Sequence, residues 1–386
     1  MIKKRTASIV MVIFLWVNVF GGMVSQARSN SFDSLTAKAV MLMDGENGTV
    51  IFEKNSKKKL PLASITKVIA MIIVIDEIRD NNLSMDDIVV TSKHAANIGG
   101  SHVYLRQGEK FTVKEMLKAV AIRSANDCMV ALAEKISGSE CAFVARMNQK
   151  AKSLGMKDTN FLDCTGLTDE GHYSTAQDIA LMASVVVKEY PIILEFSSIV
   201  EDTFRNGKFP LHNTNKLINK YKGVDGLKTG FTNKAGYCLA ATAKRNNVRL
   251  ISVVLGTKDN STRFDETRRL LDYGFNNLEN HNFGKKGELV KKVGIKNGVK
   301  KQIEGVYKDN VNLTFLKKDK DKIKKNVKIF NNIEAPVKKG KVLGKVEYRI
   351  CGNIMANKDI VAKEDVLKAS SVRLFFRAIL NWLGIE

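Results

Sequence analysis

The first hydrophobic signal in the chain is an almost wholly apolar run at residues 9–24, preceded by Lys3, Lys4 and Arg5. Ser25-Gln26-Ala27 then sets small residues at the −3 and −1 positions of a cleavage site. Together these predict a secretory signal peptide at 1–27, removed after Ala27. The run is shorter than the ~20 residues that cross a bilayer as a helix, which disfavours an uncleaved anchor. The mature chain is therefore expected outside the cytoplasm.

Further along, residues 39–43 and 49–53 are short apolar runs flanking Asp44-Gly45-Glu46-Asn47-Gly48. Asn-Gly between such runs predicts a hairpin. Residues 64–78 are mostly apolar with no breaker, which predicts a largely buried helix. A second helix is expected over 113–136, interrupted only by the polar Ser124 and Asn126 and stopped by Ser137-Gly138. Ser174-Thr175 with Asp178 resembles a capping box opening a helix at 176–189, just before Pro191. Strands follow at 237–243 and 250–255, with Asn246-Asn247 as their turn, then a helix at 262–275. Strands, helices and strands again predict an α/β (α+β) domain, a sheet with helices packed on it, over 28–280. Alternating runs at 311–315 and 342–346 predict a small β-rich domain at 284–365. The stretch 366–386 turns helical: Val372, Phe375, Phe376, Ile379, Trp382 and Leu383 share one face, while Arg373, Arg377 and Asn381 line the other. Such an amphipathic helix suits a membrane interface.

Composition narrows the partners. A 44% hydrophobic content excludes a largely disordered chain of 386 residues. The net charge is +22, and residues 284–386 alone carry 25 Lys and Arg against 11 Asp and Glu. Such a field favours anionic partners. Outside the cytoplasm, these are an anionic membrane surface or wall polymer rather than nucleic acid. The five cysteines form no C-x-x-C pair, the five histidines are scattered, and no H-E-x-x-H exists. No metal and no cofactor are expected, and the thiols read as free and mostly buried.

Three short motifs carry chemistry: Ser64-Ile65-Thr66-Lys67, Ser124-Ala125-Asn126 and Lys228-Thr229-Gly230. Ser-x-x-Lys alone says little, since Ser56-Lys57-Lys58-Lys59 matches it equally well inside a lysine-rich loop. Ser64 differs because it opens an apolar helix, whose dipole stabilises negative charge on its oxygen. Lys67 lies one turn further on the same face. Desolvated and beside other cations, such a lysine has its pKa lowered and can act as a base. Lys228-Thr229-Gly230 is expected at the start of a strand. There the glycine admits a ligand close to the backbone, Lys228 and Thr229 suit a carboxylate, and a free strand edge suits an extended peptide. His172 is read as structural, because the serine–lysine pair already supplies a base.

In this order the three motifs resemble the signature of penicillin-binding proteins and class A β-lactamases, except that Ala125 stands where that signature has Asp, which suits class A β-lactamases less well. The likeness extends through 61–67, 99–109, 124–134, 143–155, 172–175, 226–236 and 335–340, essentially the whole mature chain. It resembles the D-alanyl-D-alanine carboxypeptidases, the low-molecular-mass penicillin-binding proteins. The resemblance implies a serine β-lactamase/transpeptidase-like fold with an antiparallel sheet flanked by helices. It also implies an activity: removal of the terminal D-alanine from peptidoglycan pentapeptide stems, with β-lactams as acylating inhibitors. By the same resemblance Ser64 is the nucleophile, Lys67 its base and Ser124 a proton relay. Asn126 binds the substrate's peptide carbonyl, while Lys228 and Thr229 bind its terminal carboxylate. Gly230 belongs to the same substrate-binding strand, and the N–H groups of Ser64 and Phe231 form an oxyanion hole. Phe231 stands where some relatives carry histidine. A serine β-lactamase on the same domain is the alternative, but no Glu-x-x-Leu-Asn-like element lies between Asn126 and Lys228. A catalytically dead wall-binding protein is the other, and the intact motifs argue against it.

Overall fold

The computed structural model describes residues 32, 34–168, 170–350 and 352–383. The signal-peptide reading at 1–27 lies outside the described residues. The chain divides into Met1–Thr36 and a compact unit, Ala37–Glu386, which carries two five-stranded sheets.

The first sheet is built from β1 (Ala39–Asp44), β2 (Val50–Lys54), β3 (Val224–Thr232), β4 (Gly236–Arg245) and β5 (Val248–Thr257). Its order is β2-β1-β5-β4-β3, antiparallel throughout. The two expected hairpins are present, and Asn246 and Asn247 turn the second one with φ of 45° and 63°. Asparagine tolerates that left-handed pair better than most residues, which is why it serves in a tight strand turn. Every residue of β1 and of β5 is buried, so the sheet is covered on both faces. Ile251, Val253 and Leu255 point into the large helical core. Leu250 points the other way, against Gly274 of the helix that covers the second face.

The longer helices of this part are α1 (Lys67–Arg79), α2 (Val113–Arg123), α3 (Asn126–Ser137), α4 (Glu140–Ser153), α5 (Ala176–Glu189) and α6 (Asn260–Asn277). All nine residues from Lys67 to Ile75 are buried, so α1 is a core helix with no solvent face until its last turn. A 3₁₀ turn, Ala63–Thr66, leads into it. The single helix expected over 113–136 is two. Ser124 takes a left-handed conformation, φ 68°, which ends α2 and lets α3 start in a new direction at Asn126. The capping box expected at α5 is half formed. The Thr175 hydroxyl accepts from Asp178 N–H at 3.0 Å. The Asp178 carboxylate accepts instead from Asp158 N–H and the Thr159 hydroxyl.

The C-terminal β-rich part begins earlier than expected. Strand Leu278–Asn282 follows α6 directly and pairs with Asn312–Leu316. Its main sheet comprises β6 (Leu289–Gly294), β7 (Gln302–Tyr307), β8 (Ile323–Ile329), β9 (Val342–Ile350) and β10 (Asn353–Ala362), in the order β6-β7-β10-β9-β8. The terminal helix is shorter than expected, α7 (Ser371–Trp382). Val366 is not helical. It exchanges both backbone hydrogen bonds with Val337, and its side chain is fully buried in the core of this part. Ala369 N–H donates to the Asn297 carbonyl at 2.8 Å, so the chain stays pinned until just before α7.

This pinning predicts an asymmetry between two truncations. A chain ending at Ser370 keeps its melting temperature, because the apolar side chains of α7 are largely exposed. A chain ending at Asp365 loses a buried valine and several strand hydrogen bonds, which costs roughly 2–4 kcal/mol. Calorimetry of both chains checks this; equal melting temperatures would contradict the role given to Val366.

Candidate active site

Three pieces of backbone meet in one cleft: the turn before α1, the break between α2 and α3, and the edge strand β3. Ala63, the residue before Ser64, has φ 48°, a conformation L residues avoid. The loop 163–168 holds it there. Gly166, at φ 85°, lies so close that an added Cβ would sit 1.9 Å from the Ala63 carbonyl oxygen. No other residue type fits that approach.

That loop is organised by one carboxylate. Asp163 accepts from Thr165 N–H at 2.7 Å, the Thr165 hydroxyl at 2.9 Å, Gly166 N–H at 2.5 Å and Thr168 N–H at 2.7 Å. Burial opposes ionisation of Asp163, but the Thr168 and Gly166 hydrogen bonds and nearby His172 hold its carboxyl well below the usual carboxylate range. The result is a fixed Thr165 carbonyl, which accepts from Lys67 Nζ at 2.7 Å. Lys67 Nζ also lies 2.9 Å from Ser64 Oγ. Complete burial lowers the Lys67 pKa to about 7, against the smaller opposing pull of Cys164, Asp163 and Asp127.

The break after α2 supplies the opposite wall. Ser124 Oγ is buried and has no hydrogen-bond partner. Asn126 donates its side-chain N–H to the Gly99 carbonyl at 2.6 Å and its backbone N–H to the Ser101 carbonyl at 2.6 Å. Its Oδ1 is buried without a partner. Orphaned buried oxygens carry a desolvation cost, and their recurrence on one wall marks a surface shaped for a ligand.

Lys228-Thr229-Gly230 sits in the middle of β3, not at the start of a strand as expected. β3 is an outer strand of its sheet. An added Cβ on Gly230 would come 2.6 Å from the Leu62 carbonyl and 3.2 Å from Ser64 N. The glycine therefore lets β3 lie against the turn that carries Ser64. Lys228 is buried, and its pKa falls well below the lysine range through desolvation, then through Lys67 and Arg263. The Thr229 hydroxyl donates to the Thr214 hydroxyl at 2.7 Å. Phe231 is half exposed and stacks on Tyr237 with ring centroids 4.3 Å apart.

The residues singled out in the three motifs thus converge. Ser56, from the competing Ser-x-x-Lys, does not: its hydroxyl donates to Glu53 at 2.5 Å, and Lys59 pairs with Asp158 on the surface. His172 is buried, 2.8 Å from the Thr66 hydroxyl, and its Nδ1 accepts from Leu162 N–H. Both ring nitrogens are engaged in structure around the turn. Sequence reasoning missed Asp163, Thr165, Thr214 and Arg263. Arg263, on α6, donates to the Gly230 and Cys238 carbonyls and brings a buried cation behind β3. Its separation from Lys228 in sequence left no local signal. Among the described residues, no cluster of side chains suits a metal ion. The described cysteines are free, three of them buried and Cys141 exposed.

Residues 25–259 match the D-alanyl-D-alanine carboxypeptidase family, and residues 278–368 match the penicillin-binding protein 5 C-terminal domain. The chain is 43% identical over 350 residues to D-alanyl-D-alanine carboxypeptidase DacF of Bacillus subtilis, covering 90% of each. It is 32% identical to DacC of Escherichia coli over 86% of this chain and 85% of that one. Penicillin-binding protein 5 of Haemophilus influenzae superposes with a TM-score of 0.75 at 31% identity, over 86% of this chain and 98% of that one. The match covers both parts of the chain, and the chain belongs to the D-alanyl-D-alanine carboxypeptidase family of serine penicillin-binding proteins.

Proposed function

We propose that Ser64 is the residue acylated when this enzyme removes the terminal D-alanine from peptidoglycan pentapeptide stems, and that β-lactams acylate the same oxygen. The observation that carries the reading is the 2.9 Å contact between Ser64 Oγ and a lysine whose pKa is lowered to about 7. A lysine neutral near pH 7 takes the hydroxyl proton as the oxygen attacks the penultimate D-alanine carbonyl. The tetrahedral oxyanion then lies between the N–H groups of Ser64 and Phe231, where Gly230 lets strand and turn approach. Ser124, buried and unpartnered, passes the proton to the leaving amine as the C–N bond breaks. Water, deprotonated by the same lysine, releases the shortened stem. Lys228 and Thr229 receive the terminal carboxylate, and the edge of β3 pairs with the extended peptide.

We further propose that the enzyme is exported by its N-terminal signal peptide and held at the outer face of the cytoplasmic membrane by α7. Phe375, Phe376 and Trp382 are exposed on that helix. Arg377 fastens it to the turn after β6 by donating to the Gly298 carbonyl at 3.0 Å. Lys291, Lys292 and Lys296 line a groove of about 500 Å³ next to this turn. Each basic group near the surface adds ~1 kcal/mol of attraction to anionic lipid, screened by salt. Among the described residues, no helix is long and apolar enough to cross a membrane; the proposed anchor is a helix lying in the interface.

Two outcomes test these readings. Ser64→Ala abolishes both D-alanine release and labelling by fluorescent penicillin, whereas Ser56→Ala leaves both nearly unchanged. Loss of labelling in Ser56→Ala alone would contradict the assignment, and rapid turnover of the label would indicate a β-lactamase. The mature chain pellets with anionic vesicles at low salt and less at high salt, and a chain ending at Ser370 stays in solution while still labelling with penicillin. If both forms remain free of vesicles at low salt, α7 is not an anchor.

A further inference from the structure

We propose that Arg205, at the tip of the hairpin Glu201–Phe204 and Phe209–His212, is a positioning residue that locks the loop holding Asn126. The hairpin reaches across from the segment before β3 and grips the loop 99–109 from outside. Arg205 makes a two-pronged ion pair with Glu109, at 2.5 and 2.8 Å, and donates to the Tyr104 carbonyl at 2.6 Å. Its guanidinium also lies over Phe111, 5.2 Å from the ring centroid, and over Phe204 at 5.8 Å. A planar fork stacked on rings and aimed at a carboxylate is an arrangement lysine cannot reproduce.

The loop is held from inside as well. The buried Asp127 carboxylate accepts from Val103 N–H and Leu105 N–H, both at 3.0 Å. Just before the gripped residues, the loop presents the Gly99 and Ser101 carbonyls to Asn126. Gly100 passes so close that an added Cβ would lie 2.6 Å from Asn126 Nδ2 and 3.1 Å from Leu167. Leu167 belongs to the 163–168 loop that fixes the Lys67 contact. The 99–105 segment thus spans the two walls of the cleft, and it has no helix or strand of its own over Gly99–Glu109 to stiffen it. Arg205 and Asp127 supply that stiffness.

The inference rests on Asn126 as a substrate-binding residue. Arg205 bonds to Glu109 and to the Val103 and Tyr104 carbonyls, all of them apart from the Ser64–Lys67 pair, so its effect passes through the loop to Asn126. A displacement of about 1 Å in such a positioning group costs up to about 100-fold in rate. Arg205→Ala should therefore lower kcat for D-alanine release about tenfold or more, with KM changed by less than about threefold, in samples shown folded by thermal melting. Glu109→Gln, which keeps the shape and loses the charge, should fall between Arg205→Ala and wild type.

A purely structural role would lower activity equally in any background. The decisive comparison is therefore Arg205→Ala in an Asn126→Ala protein, followed by the rate of penicillin acylation. If Arg205 acts through Asn126, the second change costs less than about twofold. The proposal is overturned by a full additional loss in that background, or by a kcat within about twofold of wild type in folded Arg205→Ala. Should Arg205→Ala not fold, Glu109→Gln carries the same comparison, and a wild-type kcat there overturns the proposal. If Asn126→Ala itself leaves turnover intact, the reading of Asn126 falls first, and this inference with it.

Discussion

Two lysines buried in one cleft are the constraint on which the rest of the site depends. Removing an ammonium group from water is expensive, and two close together repel as well. Lys67 meets this by losing its proton near neutral pH, and Lys228 is driven the same way by burial, by Lys67 and by Arg263. The surrounding carboxylates, Asp163 and Asp127, reduce the depression of Lys67 without abolishing it. Neither contacts Lys67 directly in a salt bridge, since both are spent on backbone N–H groups of loops. The lysine is thereby left beside a serine rather than neutralised by an acid.

The same economy explains the backbone around it. The left-handed conformations of Ala63 and Ser124 each carry a conformational penalty, one beside the proposed nucleophile and the other at the proposed proton relay. Gly166 and Gly230 allow two separate segments to press against the turn that carries Ser64. The sheet contributes rigidity: β3 is anchored by β4 on one side and left open on the other, towards the cleft. The proposed reaction uses this geometry, because acyl transfer by a serine–lysine pair would need a buried base and an accessible strand edge at once.

How much of this was legible depends on sequence distance. Ser64 and Lys67 lie one helical turn apart, so the pairing was visible locally. Ser124 and Asn126 were visible as polar residues interrupting an apolar helix pattern, although periodicity alone could not show that the helix ends there. The signal for Lys228-Thr229-Gly230 was its chemistry, and its position within β3 was misjudged by a few residues because strand patterns blur at their ends. Asp163 organises its own loop, but that loop meets Lys67 across 98 positions, while Arg263 and the Arg205–Glu109 pair act on residues brought near only by the folded chain, as Glu109 lies 96 positions from Arg205. At the C-terminus, Val366 was grouped with the amphipathic helix by its apolar character. It belongs instead to a bridge with Val337, a pairing no local pattern reveals.

The central claim, that Lys67 is poised as a base by burial, is tested most directly by titrating that side chain. Selectively labelled lysine observed by NMR in the free enzyme, with Lys67→Arg to assign the signal, reports its ionisation without reference to turnover. The account predicts a midpoint near 7, since the folded pKa is depressed to about 7 from the ordinary lysine value. By linkage, the folded protein then gains stability as pH rises from about 7 towards the unfolded lysine pKa, because over that range only the unfolded chain binds the proton. A midpoint near 10, with the lysine charged throughout the neutral range, would contradict the account.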